Sequence, residues 1–243
     1  MNVTYSETLS QAFVIGPDEL KKLVDLLQGR IGKVSISADC IDKIERKFSA
    51  VKELIDYENP KSKRICRIYL SARDGFEKSA TITFGDFSSF SGGVSLNITA
   101  REDVVVRLKD KIWDIVAGTR PWYNPLAGFN FTNITHWLVY FFFIFSGLVL
   151  IRFLSFKFGL ISDSKDGIEI RSQIWVFILL LSVIFGIVCC IFLTKLSKWL
   201  FPSGVFMIGQ GKSRFETLKR VRWGVVIPFA VSFAAGCLLL IFK

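Results

Sequence analysis

RICRIYLSA, at residues 64–72, alternates apolar and polar side chains. Period-two alternation is the mark of a strand with one buried face. Cys66, Ile68 and Leu70 fall on one side of it, and Arg67 and Tyr69 fall on the other. ATITFG at 80–85 and VSLNIT at 94–99 repeat the pattern, with glycine-bearing turns between the three. Together they predict an antiparallel meander.

Helices flank this meander. Upstream, Gly16-Pro17 opens a helix with proline in its first turn. Leu20, Leu23, Val24 and Leu27 follow at helical spacing, and Gly29 and Gly32 close it. KVSIS at 33–37 reads as a strand, while 41–48 fits either element. Ser49 is placed to cap a short helix through Tyr57, which Asn59-Pro60 stops. Downstream, Thr99-x-x-Glu102 predicts a capping box. Val105, Leu108, Ile112, Ile115 and Val116 then make an amphipathic helix ending near Gly118 and Pro121. Strands followed by helices predict an α+β domain over 1–120, an antiparallel sheet with helices. A linker rich in Gly, Pro and aromatic residues is expected at 121–134.

Charge divides the chain unevenly. Residues 1–130 hold 19 basic and 17 acidic side chains, and 131–243 hold 12 and 4. The net charge of +10 therefore belongs mostly to the second half. A DNA-binding protein of the ordinary kind would carry its basic excess on the globular domain instead.

The second half contains three apolar runs, at 136–154, 174–193 and 223–242. Each approaches the ~20 residues a helix needs to cross ~30 Å of hydrocarbon. Trp137, Trp175, Trp199 and Trp223 stand at or near their ends. The expectation is an all-α transmembrane region of three helices over 135–243. The connector at 195–222 carries Lys195, Lys198, Lys212, Arg214, Lys219, Arg220 and Arg222 against one acid, Glu216. The excess of positive charge places this lipid-facing basic loop in the cytoplasm, and the N-terminal domain with it. The expected location is the cell inner (plasma) membrane, multi-pass. Five cysteines without CxxC spacing read as reduced thiols, in agreement.

Within the apolar runs, Ser182 and Gly186, and Ser232 and Gly236, have the four-residue spacing that lets helix backbones approach. Phe141, Phe142 and Phe145 are placed to form a hydrophobic constriction. These seven are the pore and gate candidates, although a phenylalanine stretch of this kind more often simply faces lipid.

Catalysis finds little support. His136 is the sole histidine, and no nucleophile is recognisable beside a base. Neither a metal site nor a cofactor is expected. Gly209-Gln210-Gly211-Lys212-Ser213 resembles the end of a P-loop, but the first required glycine would fall on Phe206. A glycine-rich turn leading into a basic helix explains it better.

One cluster stands out in the nearly neutral N-terminal half: Lys61, Lys63, Arg64, Arg67 and Arg73, with Tyr69 among them and no intervening acid. Cations beside an aromatic ring hold phosphate or single-stranded nucleic acid. A solvated strand face accounts for the same pattern.

The layout of three apolar runs behind a domain bearing the 61–73 basic strand resembles that of small membrane effectors of bacterial anti-phage defence, the Hailong-type effectors. The resemblance is one of architecture over the whole chain. It implies a homo-oligomer whose cytosolic domain takes a single-stranded oligonucleotide and controls an ion channel that depolarises the membrane. The expected function is thus a membrane effector, with ligand or partner sensing in the N-terminal domain, and not an enzyme. The alternative is a membrane-anchored adaptor that recruits a cytosolic protein. Expected partners are membrane lipid, further copies of the chain, and an oligonucleotide, nucleotide or protein.

Overall fold

A computed structural model describes residues 2–75, 77–85, 93–127, 184, 187–188, 191–192, 194–229, 231–232 and 235–236. The chain forms two compact units, one of 1–128 with 200–243 and one of 129–199. In the second unit the described residues are helical.

The first unit is built on a six-stranded sheet. Its strands are β1 (Asn2–Leu9), β3 (Lys33–Cys40), β4 (Glu45–Phe48), β5 (Ile65–Asp74), β6 (Lys78–Gly85) and β7 (Val94–Arg101). They lie in the order β1-β7-β6-β5-β3-β4, every neighbour antiparallel. A short β2 (Phe13–Ile15) stands apart from this sheet. The expected meander is its centre, and the α+β reading of this domain holds.

Alternation decides which face is buried. Ile68, Leu70 and Ala72 of β5 share a face with Ala80, Ile82 and Phe84 of β6 and with Val94, Leu96, Ile98 and Ala100 of β7. Two helices cover that face: α1 (Pro17–Arg30) with Leu20, Leu23, Val24 and Leu27, and α3 (Glu102–Gly118) with Val105, Leu108, Ile112 and Val116. Each such side chain contributes about 1.5–3 kcal/mol on burial. A six-residue helix, α2 (Val51–Asp56), adds Leu54 to the same core.

Three local expectations are corrected. The register between β3 and β5 shifts at Asp39/Cys40, so Cys40 faces Ile65 and Asp39 faces Arg67. Cys66 is the extra residue of this bulge and is only half-buried, while Ile65 takes the inward place expected of it. Thr99 remains in β7, bonded sideways to Thr4, and α3 starts at Glu102 with Arg101 before it, so no capping box forms there. The helix expected after Ser49 starts one residue later, behind Ala50. The Ser49 backbone N–H donates to Glu53 Oε2 at 2.7 Å.

The segment from Leu200 folds onto this domain, although it was expected within the 135–243 region. β8 (Gly204–Phe206) pairs in parallel with β2. The Phe13 N–H donates to Ser203 O at 2.9 Å, and the Met207 N–H donates to Ile15 O at 2.8 Å. A short helix, α4 (Asn124–Ala127), braces the same strand through Asn124 Oδ1, which accepts from the Ala12 N–H at 2.7 Å. Gly209-Gln210-Gly211 is the turn that starts α5 (Gln210–Val221). Gly209 has φ +49°, and a Cβ there would lie 2.3 Å from Glu58 O. Only glycine fits where this turn meets the Glu58 backbone.

The transmembrane reading is corrected. Among the described residues, no helix is long and apolar enough to cross a membrane. The run at 136–154 lies outside the described residues, and so does most of 174–193. At the third run, the helix that enters it is α5, whose sequence QGKSRFETLKRV is polar. It passes through a π-helical turn, Arg222–Val226, in which Arg222 is buried in protein. A run's hydropathy records how apolar it is, not whether one helix holds it. The three-helix region, the multi-pass inner-membrane location and the transmembrane channel that depended on them fall with this finding.

Candidate anion-binding face

Among the described residues no helix covers the sheet's other face, and its composition is narrow. Reading across strands by register, one row is Ser37, Tyr69, Thr83, Ser95 and Thr8. The next is Ser35, Ser71, Thr81, Asn97 and Ser6, and the third is Lys33, Arg73, Ser79, Thr99 and Thr4. Small hydroxyls therefore pave the face, and some bond to each other. Ser71 Oγ lies 3.3 Å from Thr81 Oγ1, Thr4 Oγ1 lies 3.2 Å from Thr99 Oγ1, and Ser35 Oγ donates to Ser71 O at 3.1 Å. Short side chains leave the backbone plane within reach of a flat or extended ligand.

The cations gather on the β3–β5 side. Lys33 stands directly opposite Arg73, and both are exposed. Gly32 delivers Lys33 to this register: its φ is +143°, and a Cβ would come 3.3 Å from Arg73 O. Like charges directly opposed across two strands are unfavourable, by about 0.2–1 kcal/mol. Neither Lys33 nor Arg73 has an ion-pair partner among the described residues, and the neighbouring Asp74 is paired with Lys78 at 3.5 Å. An anion between Lys33 and Arg73 would reverse that repulsion.

Arg67 is held differently. Tyr69 donates its hydroxyl hydrogen to Asp39 Oδ2 at 2.9 Å, across the β3–β5 ladder. The Tyr69 hydroxyl raises the Arg67 pKa further, with Asp39 adding to it, so the guanidinium stays charged. Asp39 partly offsets the positive charge at this end and fixes the Tyr69 ring. The positive charge at the Lys33–Arg73 end is less offset, and Tyr69 supplies an aromatic surface two rows further on.

The structure thus divides the expected basic cluster. Arg67, Tyr69 and Arg73 meet on the open face. Lys61 and Lys63 lie in a 3-10 turn before β5, exposed at the sheet's margin. Arg64 is half-buried and lies near α5, where Arg214's own burial, and after it the Arg64 charge, lower the Arg214 pKa. Lys33 and the hydroxyl rows were missed from sequence. Their signal was present: every outward position of 33–39, 69–73, 79–83 and 95–99 is polar.

The basic connector divides as well. Lys195, Lys198, Lys212, Lys219 and Arg220 are exposed. Arg214 Nη1 instead donates to Asn59 O at 3.0 Å, helping to seat α5. Asn59 is itself buried, accepts from the Ile65 N–H at 2.9 Å and donates to Ile208 O at 3.2 Å. Arg222 is 2% exposed and lies over the rings of Tyr123, at 4.4 Å, and Phe215, at 5.3 Å. Neither Arg214 nor Arg222 sits as a lipid-facing cation would. Burial raises the Tyr123 hydroxyl pKa, with Arg222 opposing.

Of the seven pore and gate candidates, Phe141, Phe142, Phe145, Ser182 and Gly186 lie outside the described residues. Ser232 and Gly236 are helical and exposed, and among the described residues no other segment comes within 4 Å of where a Cβ on Gly236 would sit. Among the described residues no helix approaches closely at Gly236.

A second polar cluster forms at the β3–β4 turn. Arg46 makes a two-pronged contact with Asp42, at 3.0 and 2.6 Å, and reaches over the Tyr57 ring at 5.9 Å. The arginine holds the Asp42 carboxyl below its ordinary pKa. Burial pushes the nearby Cys40 thiol up. Among the described residues, no group of three His, Cys, Asp or Glu side chains is arranged to hold a metal. In comparisons with known proteins, no family model, no curated protein and no solved structure matches this chain.

Proposed function

We propose that this chain is a ligand-sensing module whose open sheet face takes an extended anionic ligand, of which a single-stranded oligonucleotide fits best. The observation that carries the reading is the placement of Lys33, Arg67, Arg73 and Tyr69 on one uncovered face among serine and threonine hydroxyls. Cations take phosphates, an aromatic ring takes a base, and hydroxyls adapt to either. Consecutive strands lie about 4.8 Å apart, so a backbone crossing them meets a fresh row of donors every few ångströms. The chemistry on offer is charge and hydrogen bonding, and the reading is binding rather than catalysis. Of the resemblance to anti-phage effectors, the oligonucleotide ligand alone is carried forward. The layout behind the rest included the corrected crossings.

The test is fluorescence anisotropy with a labelled thymidine oligonucleotide, against wild type, Arg67→Glu/Arg73→Glu and Lys61→Glu/Lys63→Glu. The face variant should lose at least tenfold in affinity and flatten the salt dependence by about 0.7 per lost phosphate contact. The margin variant should lose less. Equal losses in the two variants would argue for diffuse attraction, and unchanged binding by the face variant would dismiss the site.

A further inference from the structure

Among the described residues β1 ends the sheet, hydrogen-bonded to β7 on one side alone. Along an antiparallel strand, alternate residues turn their N–H and C=O toward opposite neighbours. Half of the β1 backbone groups therefore point away from the sheet. Among the described residues no further backbone bond reaches them.

Natural sheets blunt such an edge with lysine, proline, a bulge or a very short strand. The opposite edge follows that practice: β4 has four residues, ERKF, three of them charged. β1 does not. NVTYSETL runs for eight residues without lysine, arginine or proline, and its register with β7 is unbroken.

The β1 side chains suit a second copy of the same strand. Antiparallel pairing about a two-fold axis at Ser6 sets Ser6 against Ser6, Thr4 against Thr8, Tyr5 against Glu7 and Val3 against Leu9. Directly opposed residues share a face, so every hydroxyl of Thr4, Ser6 and Thr8 stays on the open side. No like charges oppose each other. Each Glu7 meets the other copy's Tyr5, whose ring lies under Lys109 Nζ at 4.8 Å. That contact repeats one already made within the chain, where Tyr5 donates its hydroxyl to Glu7. On α3, Val106 lies on the stripe with Lys109 and Trp113, and those two reach Tyr5. Val106 is 53% exposed, on the side of α3 that a second copy would approach.

We infer that β1 is a homodimer seam: two copies join β1 to β1, antiparallel about Ser6, and merge two six-stranded sheets into one with both open faces on the same side. This seam depends on the edge strand and not on the ligand reading.

The experiment uses the purified full-length chain, with mass determined by light scattering after size exclusion and cross-linking read on non-reducing gels with peptide mapping. Wild type should be a dimer. Ser6→Cys should cross-link through its new thiol under mild oxidation, because directly opposed strand positions lie within disulfide reach. Thr4→Cys alone should not, whereas Thr4→Cys/Thr8→Cys should. Glu7→Lys should shift the chain toward monomer, by at least tenfold in dissociation constant, with an unchanged circular dichroism spectrum. A wild-type monomer at every concentration would overturn the seam. So would a dimer in which Ser6→Cys gives no cross-link, or a preparation in which another protein's strand occupies this edge.

Discussion

The two faces of the sheet are made by the same strands and differ in almost every respect. On the helix-covered side stand Ile68, Leu70, Ile82, Phe84, Leu96 and Ile98, each at 1% exposure or less. On the other side their sequence neighbours are Tyr69, Ser71, Thr81, Thr83, Ser95 and Asn97. The first set holds the fold and tolerates little change. The second leaves the backbone ladder intact while remaining free for another task. Strand geometry alone creates this freedom, because a residue facing water has no packing partner to satisfy. The difference teaches where function can reside without cost to the core.

The comparison can be broken most severely from the covered side. Ile82→Ala should remove about 2–5 kcal/mol of stability in urea denaturation, since the cavity forms at the sheet centre under two helices. A loss under 1 kcal/mol would mean that the face is not sealed. Gly209→Ala should cost about 1–3 kcal/mol, because the left-handed backbone and the close Glu58 carbonyl both resist a Cβ. Limited proteolysis should then cleave in 200–221 ahead of the sheet.

The open side should respond oppositely. Arg73→Gln relieves the repulsion from Lys33, so the melting midpoint should hold steady or rise slightly while oligonucleotide affinity falls about tenfold. A variant that lost both together would show the two faces to be coupled. The smallest effect concerns pH. Arg46 depresses the Asp42 pKa in the folded state, so their pairing contributes stability above the ordinary carboxylate range. That contribution is lost as pH falls through the folded value. Asp42→Asn should flatten this acid limb, measured by thermal melts, and leave the neutral-pH midpoint nearly unchanged.

The core face was legible because period two and period 3.6 are strong signals. Residues 64–72, 80–85 and 94–99 alternate, and Val105, Leu108, Ile112 and Val116 lie one helical turn apart. β1 was not legible, for NVTYSETL holds too few apolar residues to mark an inward face before its neighbour is known. β2 and β8 are three residues each and pair across nearly two hundred positions, beyond any local pattern. Part of the anion face was readable in Arg67, Tyr69 and Arg73. Lys33 joins them only through register, which no spacing along the chain encodes. The apolar runs misled for a related reason: hydropathy is a local quantity, while the burial of Arg222 against Tyr123 and Phe215 depends on distant segments meeting.

The measurement that tests the account most directly is photo-cross-linking with an oligonucleotide carrying 5-iodouracil, followed by peptide mapping. Such bases react with an aromatic ring on which they stack. The account predicts a principal adduct on Tyr69, abolished by Tyr69→Ser and weakened by Arg73→Glu. Adducts confined to the 210–222 helix, or adducts on the helix-covered side alone, would contradict it.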